Sequence, residues 1–196
     1  MNRATRDKFV SHSHLLTDAK SLWETPPQVY QQLVYDFGPF DLDLTADSKR
    51  HLEPVWLGPG SPIGHVDALV APWFELADSG YSNPPYGWFA AAMIKKAHEE
   101  AKKGFTSTLL LPMRVTKQFR KHVLHGAAQL IFPDKRICFY ENGAPRWNEE
   151  ALKKGGYQMD PALFDSIIVR FKPGMWIYPR VSEWKVPPHY TPPKIG

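Results

Sequence analysis

Asn83-Pro84-Pro85-Tyr86 is the most informative stretch of the chain, because it stands between a short run that ends at Ser82 and the strongest helical pattern of the chain. A strand, a loop and a helix in this order are typical of open α/β folds, which bind ligands at such junctions. Each X-Pro step holds the preceding residue extended, and neither proline has an N–H to donate. The loop therefore offers carbonyl oxygens, one side-chain amide and one aromatic ring.

These groups suit a planar base that carries an exocyclic amine. We predict that Asn83 Oδ1 and the Pro84 carbonyl each accept one amine proton, and that Tyr86 stacks on the ring. Asn83, Pro84, Pro85 and Tyr86 are thus the candidate catalytic residues. The alternative is an ordinary surface turn, because asparagine and proline are both common in turns.

The composition is that of a globular, mildly basic chain. Its 196 residues, 43% of them hydrophobic, suffice for one full core, so we expect a single domain over residues 1–196. The net charge of +4 favours an anionic partner such as nucleic acid. No apolar run reaches the roughly 18 residues that span a bilayer, and no membrane partner is expected. The single cysteine, Cys138, excludes an internal disulfide and fits a cytoplasmic location.

Helical and strand patterns alternate through the middle of the chain. Thr25 as N-cap and Pro26 at the first helical position are predicted to open a helix that ends at Gly38. Strands are expected at 40–44, 81–82, 106–111, 129–132, 136–140 and 164–171, and further helices at 88–103 and 115–125. This alternation predicts a largely parallel sheet with right-handed crossovers. The last two strands, with no helix between them, are expected to pair as an antiparallel hairpin at one edge.

Three segments lack a clear period. Residues 1–20 are expected to form a mobile arm. Residues 141–163 are polar and are expected to be a long loop, a length that is uncommon unless the loop has a function. Residues 173–196 are rich in proline and are expected to lie extended over the surface rather than form a further element.

Five segments, taken in order, resemble the phage-type DNA N6-adenine methyltransferases, the Dam-like group of phages and prophages. They are Trp23-Glu24-Thr25-Pro26, Phe40-Asp41-Leu42-Asp43-Leu44-Thr45-Ala46, Asp67-Ala68-Leu69 followed by Trp73, Asn83-Pro84-Pro85-Tyr86-Gly87 and Leu110-Leu111-Pro112-Met113-Arg114. The resemblance implies a Rossmann-like methyltransferase fold with S-adenosylmethionine as methyl donor. It also implies a protein that acts in the cytoplasm of a bacterial host.

The donor site is expected around the first of the predicted strands. Asp43 lies at its carboxyl end, beside the crevice, where a carboxylate can pair with the cationic methionine part of the donor. Asp41 lies two residues earlier on the same face. The alternative for both is a turn cap. The usual glycine-rich turn of methyltransferases is absent, since Thr45-Ala46-Asp47-Ser48 stands there, and Ala46 is the small residue that allows close approach of the donor.

The resemblance adds three residues to the donor site. It places the segment of Trp23 and Thr25 beside the methionine end of the donor, although both also suit a packing anchor and a helix cap. Asp67 is expected to accept a hydrogen bond from the donor adenine, and its alternative is a simple surface aspartate. Asn83 is expected to touch the donor with one edge.

The DNA contacts are expected on the same side of the sheet. Basic residues follow the strand end at residue 111 on the ligand side and suit phosphate contacts: Arg114, Lys117, Arg120 and Lys121. Phe164, together with the 141–163 segment, is expected to hold the extruded base or the neighbouring DNA. The histidines do not cluster, so no metal is predicted, and the helix of His122 and His125 is expected to face solvent.

Together these patterns predict methyl transfer to the N6 amine of adenine in double-stranded DNA, with the target base flipped out of the duplex. Two other acceptors fit the same loop, a glutamine side-chain amide in a protein and an adenine in RNA. A DNA-binding protein without catalysis is the remaining alternative. The sequence indicates neither the recognition site nor the oligomeric state.

Overall fold

The computed structural model describes residues 23–188, which fold into a mixed α/β structure around a six-stranded sheet. The strands are β1 (Leu42–Asp43), β2 (Ser79–Ser82), β3 (Thr106–Pro112), β4 (Gln129–Pro133), β5 (Tyr140–Glu141), β6 (Ala144–Pro145), β7 (Ser166–Phe171) and β8 (Arg180–Trp184). The helices are α1 (Pro27–Phe37), α2 (Trp73–Leu76), α3 (Trp88–Ala101), a π-helix (Phe119–Val123) and α4 (Glu149–Lys153). The arm predicted at residues 1–20 lies outside the described residues.

The large sheet has the order β1-β2-β3-β7-β4-β8. All neighbouring strands are parallel except at β7, which runs antiparallel to both β3 and β4. The predicted mostly parallel sheet is therefore confirmed. Because β1, β2 and β3 are parallel neighbours, their carboxyl ends meet at one end of the sheet, and the Asn83–Tyr86 loop leaves β2 there.

The predicted position of the antiparallel hairpin is wrong. The antiparallel strand β7 lies inside the sheet, and β1 and β8 form its edges. The reason is that Ile167, Ile168 and Val169 are all buried, so β7 needs cover on both faces, which an interior strand has. The predicted strand at 136–140 is also absent from the large sheet. Only its last residue joins a strand, β5, which pairs with β6 in a separate two-stranded hairpin.

The core lies on both faces of the sheet. In β3, Leu109 and Leu111 pack on the face covered by α3, whereas Leu110 packs on the face covered by α1, as the alternation of a strand requires. The face under α3 is also covered by Trp73 of α2 and by Phe119 and Val123 of the π-helix. No helix within residues 23–188 is both long and apolar enough to cross a lipid bilayer.

The proline-rich tail forms a further element, contrary to the expectation for residues 173–196. Its residues 180–184 are β8, which pairs in parallel with β4. Trp184 is buried and donates its indole N–H to Asp36 over 2.7 Å, and buried Val186 donates its backbone N–H to Asp134. The surface side of β8 is polar and exposed, so the segment lacks the alternation by which strands are recognised. Residues 189–196 lie outside the described residues.

The 141–163 segment is not one long loop. It contains the rest of the β5–β6 hairpin and the short helix α4. Asn148 caps this helix by accepting the Ala151 N–H over 3.0 Å. Both elements are too short to leave a period in the sequence, which explains why the pattern favoured a loop.

The predicted helix at 115–125 is present but its histidine face is not solvated as expected. It contains a π-helical turn, and His122 is buried with 7% of its surface exposed. His122 Nδ1 lies 3.0 Å from His98 Nδ1 of α3. Burial lowers the pKa of both rings, so the two histidines share a hydrogen bond as neutral side chains. His125, in contrast, is exposed.

Candidate active site

The Asn83–Tyr86 loop joins the carboxyl end of β2 to the first turn of α3. Gly87 closes it with φ of 102°, a conformation that favours glycine because a Cβ is strained there. The loop therefore has a fixed exit, and its four residues stay at the end of the sheet where ligands of parallel α/β proteins bind.

The side-chain amide of Asn83 has a defined orientation. Its Nδ2 donates to the backbone carbonyl of Trp23 over 2.8 Å. This bond directs Oδ1 away as an acceptor, and the Tyr86 hydroxyl donates to it over 3.3 Å. An amide oxygen accepts two hydrogen bonds, so one further position remains for an amine proton.

Tyr86 belongs to an aromatic cluster, formed by Trp23, Tyr86, Phe139 and Phe164. The Trp23 ring stacks on Phe139 and Phe164 at centroid distances of 5.6 and 5.5 Å. The Tyr86 ring meets Phe164 edge to face at 5.2 Å. Burial raises the pKa of Tyr86 well above its ordinary value, so its hydroxyl is a neutral donor. Phe164 thus lies beside the catalytic loop, although it is 78 residues further along the chain than Tyr86.

A cleft of about 680 Å³ opens beside the loop. It is lined by residues of the N-terminal segment, the segment after β1, the catalytic loop and the β5–β6 hairpin. The predicted site residues among them are Trp23, Thr25, Asp43, Ala46, Asn83 and Pro85. A cavity of this volume lies within the range of small-molecule sites, roughly 300–1,000 Å³.

Asp43 is the buried acid of this cleft, with 4% of its surface exposed. Its two carboxylate oxygens accept the backbone N–H groups of Thr45 and Leu52, over 3.2 and 3.0 Å. Burial raises the pKa of Asp43 to about 6, against the opposing effect of these two hydrogen bonds. Asp43 therefore both faces the cleft and fixes the 45–52 segment that forms one wall.

The structure does not bring the other two predicted acids to the cleft. Asp41 is exposed, and its carboxylate accepts the backbone N–H and the hydroxyl of Ser79 over 2.9 and 2.8 Å. Asp67 accepts the Leu69 N–H over 2.8 Å in the turn before α2. Asp41 thus binds the first residue of β2, whereas half-buried Asp67 accepts within its own turn, and neither residue lines the cleft.

Thr25 is not the helix N-cap that the pattern predicted. Helix α1 begins at Pro27, and Pro26 occupies the cap position. The Thr25 hydroxyl instead lies 2.7 Å from the hydroxyl of buried Tyr81 in β2. This contact fastens the N-terminal segment to the strand that precedes the catalytic loop, and so places Trp23 over Asn83.

Sequence reasoning missed several residues of the cleft. The 45–52 segment contributes an ion pair between Asp47 and Arg50. Burial raises the pKa of Asp47, but the hydrogen bonds and charge of Arg50 outweigh it and hold the pKa below its ordinary value. Further lining residues are Glu24, Pro27, Thr45, Lys49, His51, Leu52, Tyr81, Tyr140, Asn142 and Gly143. The signals in the sequence for this wall are the Thr45-Ala46-Asp47-Ser48 turn and the three-residue spacing of Asp47 and Arg50.

The predicted DNA-binding residues lie near the same end of the sheet. Arg114, Lys117, Arg120 and Lys121 are exposed and follow the carboxyl end of β3, the parallel neighbour of β2. Their contact with phosphates stays a prediction. Within residues 23–188 there is no group of three or more His, Cys, Asp or Glu side chains placed to hold a metal ion.

The protein is thus a mixed α/β protein in which the Asn83 amide lies at the carboxyl end of a parallel strand, beside a cleft of about 680 Å³. A family model for DNA N-6-adenine-methyltransferases (Dam) matches residues 12–159, and the chain belongs to this family. It is thus a DNA adenine methyltransferase by family, of a class that uses a methyl donor. No curated protein and no solved structure matches the chain significantly.

Proposed function

We propose that the protein transfers a methyl group from S-adenosylmethionine to the N6 amine of adenine at specific sites in double-stranded DNA, on a Rossmann-like methyltransferase fold. The observation that carries this proposal is the orientation of Asn83. Its Nδ2 is held by the Trp23 carbonyl, so its Oδ1 is the atom available to an incoming amine. Membership of the DNA N-6-adenine-methyltransferase family supports adenine in DNA as the substrate.

The cleft residues fit the donor. The volume of the cleft, about 680 Å³, suits a molecule of the size of S-adenosylmethionine. The buried carboxylate of Asp43 suits a ligand that carries positive charge at its amino group and sulfur. Trp23 offers an aromatic wall, Thr25 a hydroxyl, and Ala46 a side chain small enough for close approach. When bound, the donor supplies an electrophilic methyl group on a sulfonium.

Asn83 and Pro84 act on the target amine. The lone pair of an adenine amine is delocalised into the ring, which makes the nitrogen a poor nucleophile. Hydrogen bonds from the amine to Asn83 Oδ1 and to the Pro84 carbonyl favour a more tetrahedral nitrogen, on which the lone pair is localised. The contribution of these groups is positioning and electrostatic stabilisation, with no covalent intermediate on the protein.

The aromatic cluster suits a base outside the duplex. A base inside the helix cannot reach Asn83, so the target adenine has to be extruded. The ring centroids of Tyr86 and Phe164 lie 5.2 Å apart in an edge-to-face contact, next to the Asn83 amide. The basic residues after β3 would hold the flanking phosphates, because they extend from the same end of the sheet.

The decisive experiment is to incubate the protein with S-adenosylmethionine labelled at the methyl carbon and a mixture of duplex DNA, RNA and protein. The expected product is N6-methyladenine in DNA alone. Label on RNA adenine or on a glutamine amide would show that the acceptor is not DNA, while methyl transfer to nitrogen would remain the reaction. Donor binding without any labelled product would favour a protein that has lost catalysis, and absence of donor binding as well would favour a DNA-binding protein.

A further inference from the structure

Leu163 is an exposed leucine on a backbone that is held on both sides. Its side chain is 84% exposed, whereas Ala162 before it is buried and donates its N–H to the Ile137 carbonyl over 3.1 Å. On the other side, the Asp165 carbonyl accepts the Met113 N–H over 2.8 Å. The exposure of Leu163 is therefore a fixed feature of the fold.

The place of Leu163 is defined by its neighbour. Phe164 packs in the aromatic cluster, 5.5 Å from Trp23 and 5.2 Å from Tyr86. Consecutive Cα atoms are about 3.8 Å apart. Phe164 thus contributes its ring to the aromatic cluster proposed for the extruded adenine, and Leu163 presents an apolar side chain next to that cluster.

The surroundings of Leu163 suit DNA. Asp165, the acid nearest in sequence, is neutralised by the Arg136 guanidinium, whose Nε lies 3.1 Å from its Oδ1. Met113, which pairs with Asp165 through the backbone, is itself half exposed and is followed directly by exposed Arg114. An apolar tip flanked by basic groups is the combination with which proteins enter a duplex, because cations hold the phosphates and the apolar group unstacks the bases.

We propose that Leu163 inserts into the duplex at the position vacated by the target adenine, and so acts as a positioning residue for base extrusion. This inference rests on the function proposed above. Extrusion leaves a gap between two base faces, and an isobutyl group fills it without a polar atom left unpaired. The extruded base and the gap that it leaves belong to the same nucleotide, so two consecutive residues, Phe164 and Leu163, suit contacts with the base and with the gap.

The test compares Leu163→Ala with Leu152→Ala, which changes another exposed leucine, in α4. Each variant is bound to a duplex with 2-aminopurine at the target position, whose fluorescence rises when the base leaves the stack. We expect Leu163→Ala to lose most of this rise and to lower turnover on the paired duplex by about tenfold, an effect of the size of a lost unstacking contribution. Leu152→Ala should match the wild-type protein in both measurements.

A second substrate separates positioning from catalysis. When the target adenine stands opposite an abasic site, it has no pairing to lose, so Leu163→Ala should regain turnover to within about twofold of the wild-type protein. Equal loss on both duplexes, or wild-type fluorescence and turnover on the paired duplex, would overturn the role of Leu163 and leave the proposed function intact. A wild-type protein that methylates neither duplex would overturn the proposed function, and with it the proposed insertion of Leu163.

Discussion

The Tyr86 hydroxyl donates to Asn83 Oδ1 over 3.3 Å, so the acceptor proposed for the target amine already has one partner. The same amide gives its Nδ2 to the Trp23 carbonyl. Both neighbours thus fix the plane of the Asn83 side chain and leave a single acceptor position on Oδ1 for the substrate. The contributions of Asn83 and Tyr86 to the rate of methyl transfer can be measured separately.

Removal of the Asn83 amide should slow transfer by roughly two orders of magnitude and spare donor binding. Asn83→Ala is expected to raise the barrier by on the order of 3 kcal/mol, the size of a lost hydrogen bond to a developing charge. Donor affinity by calorimetry should stay within about tenfold, because Asn83 acts mainly on the target amine. Gln31→Ala, at an exposed side-chain amide of α1 outside the cleft, is the matched control. A donor affinity that falls as far as the rate would instead assign Asn83 to cofactor binding or folding.

The ring of Tyr86 should matter more than its hydroxyl. Tyr86→Phe keeps the edge-to-face contact with Phe164 and frees Oδ1, so we expect kcat on duplex DNA to change by about fivefold at most. Tyr86→Ala removes a stacking surface and should cost about 1–3 kcal/mol in binding of the flipped base. Single-turnover rates on both variants make the comparison. If the phenylalanine variant is as slow as the alanine variant, the hydroxyl has a direct role in the reaction.

Donor binding should weaken as pH falls through the titration of Asp43. Burial raises the pKa of Asp43 to about 6, so below that pH the carboxyl is neutral and no longer attracts a cation. The group itself favours folding at low pH, because the folded protein holds this proton more tightly than the unfolded chain. The loss of affinity is therefore not a loss of the fold, which melting curves at each pH would verify.

The matched variants for that experiment are Asp43→Asn and Asp41→Asn. We expect Asp43→Asn to bind the donor weakly at every pH and to leave DNA affinity unchanged or slightly improved, since DNA is an anion. Asp41→Asn should retain the wild-type pH profile, because Asp41 bonds to Ser79 outside the cleft. An unchanged profile in Asp43→Asn would remove Asp43 from the donor site.

The His98–His122 pair should make stability fall in acid. Burial lowers the pKa of both rings in the folded protein, helped by nearby Lys102 and Lys121 and opposed by Glu99. The unfolded chain therefore binds more protons below about pH 6.5, and stability decreases from there as pH falls through the lowered pKa values. His122→Leu removes a buried ring whose Nε2 has no hydrogen-bond partner among residues 23–188, and the melting temperature of the variant should depend less on pH over this range. An identical pH dependence in the variant would exclude the pair as its source.

The C-terminal strand should be essential for stability. Trp184→Ala is expected to lower the free energy of unfolding by about 3–5 kcal/mol, because it removes a buried ring and its bond to Asp36. Lys185→Ala, at the exposed neighbour, should have little effect. Urea unfolding of both variants provides the measurement. Equal free energies of unfolding for the two variants would show that residues 180–184 do not stabilise the fold, as expected of an extended surface tail.

The sequence predicted what depends on local chemistry and strong periodicity. The prolines of Asn83–Tyr86, the alanine-rich α3 and the apolar β3 each determine their own conformation, and together they predict the observed strand–loop–helix order. The catalytic role of the loop stays a prediction. β8 was missed because an edge strand with a solvated face lacks both alternation and hydrophobicity. Thr25 was misplaced because its partner, Tyr81, is 56 residues away, and a long-range contact outweighed a local capping preference.

The interior position of β7 has a consequence for synthesis. β3 and β4 are neighbours of β7 and not of each other, so neither has its partner on that side until residues 166–171 are available. The ribosome releases the catalytic loop long before this strand, yet no nascent chain that ends before it can close the sheet. Closure of the sheet is therefore postponed until residues 166–171 have been synthesised. Termination before them, even after the family-matched residues 12–159, yields a chain with two exposed strand edges, one on β3 and one on β4.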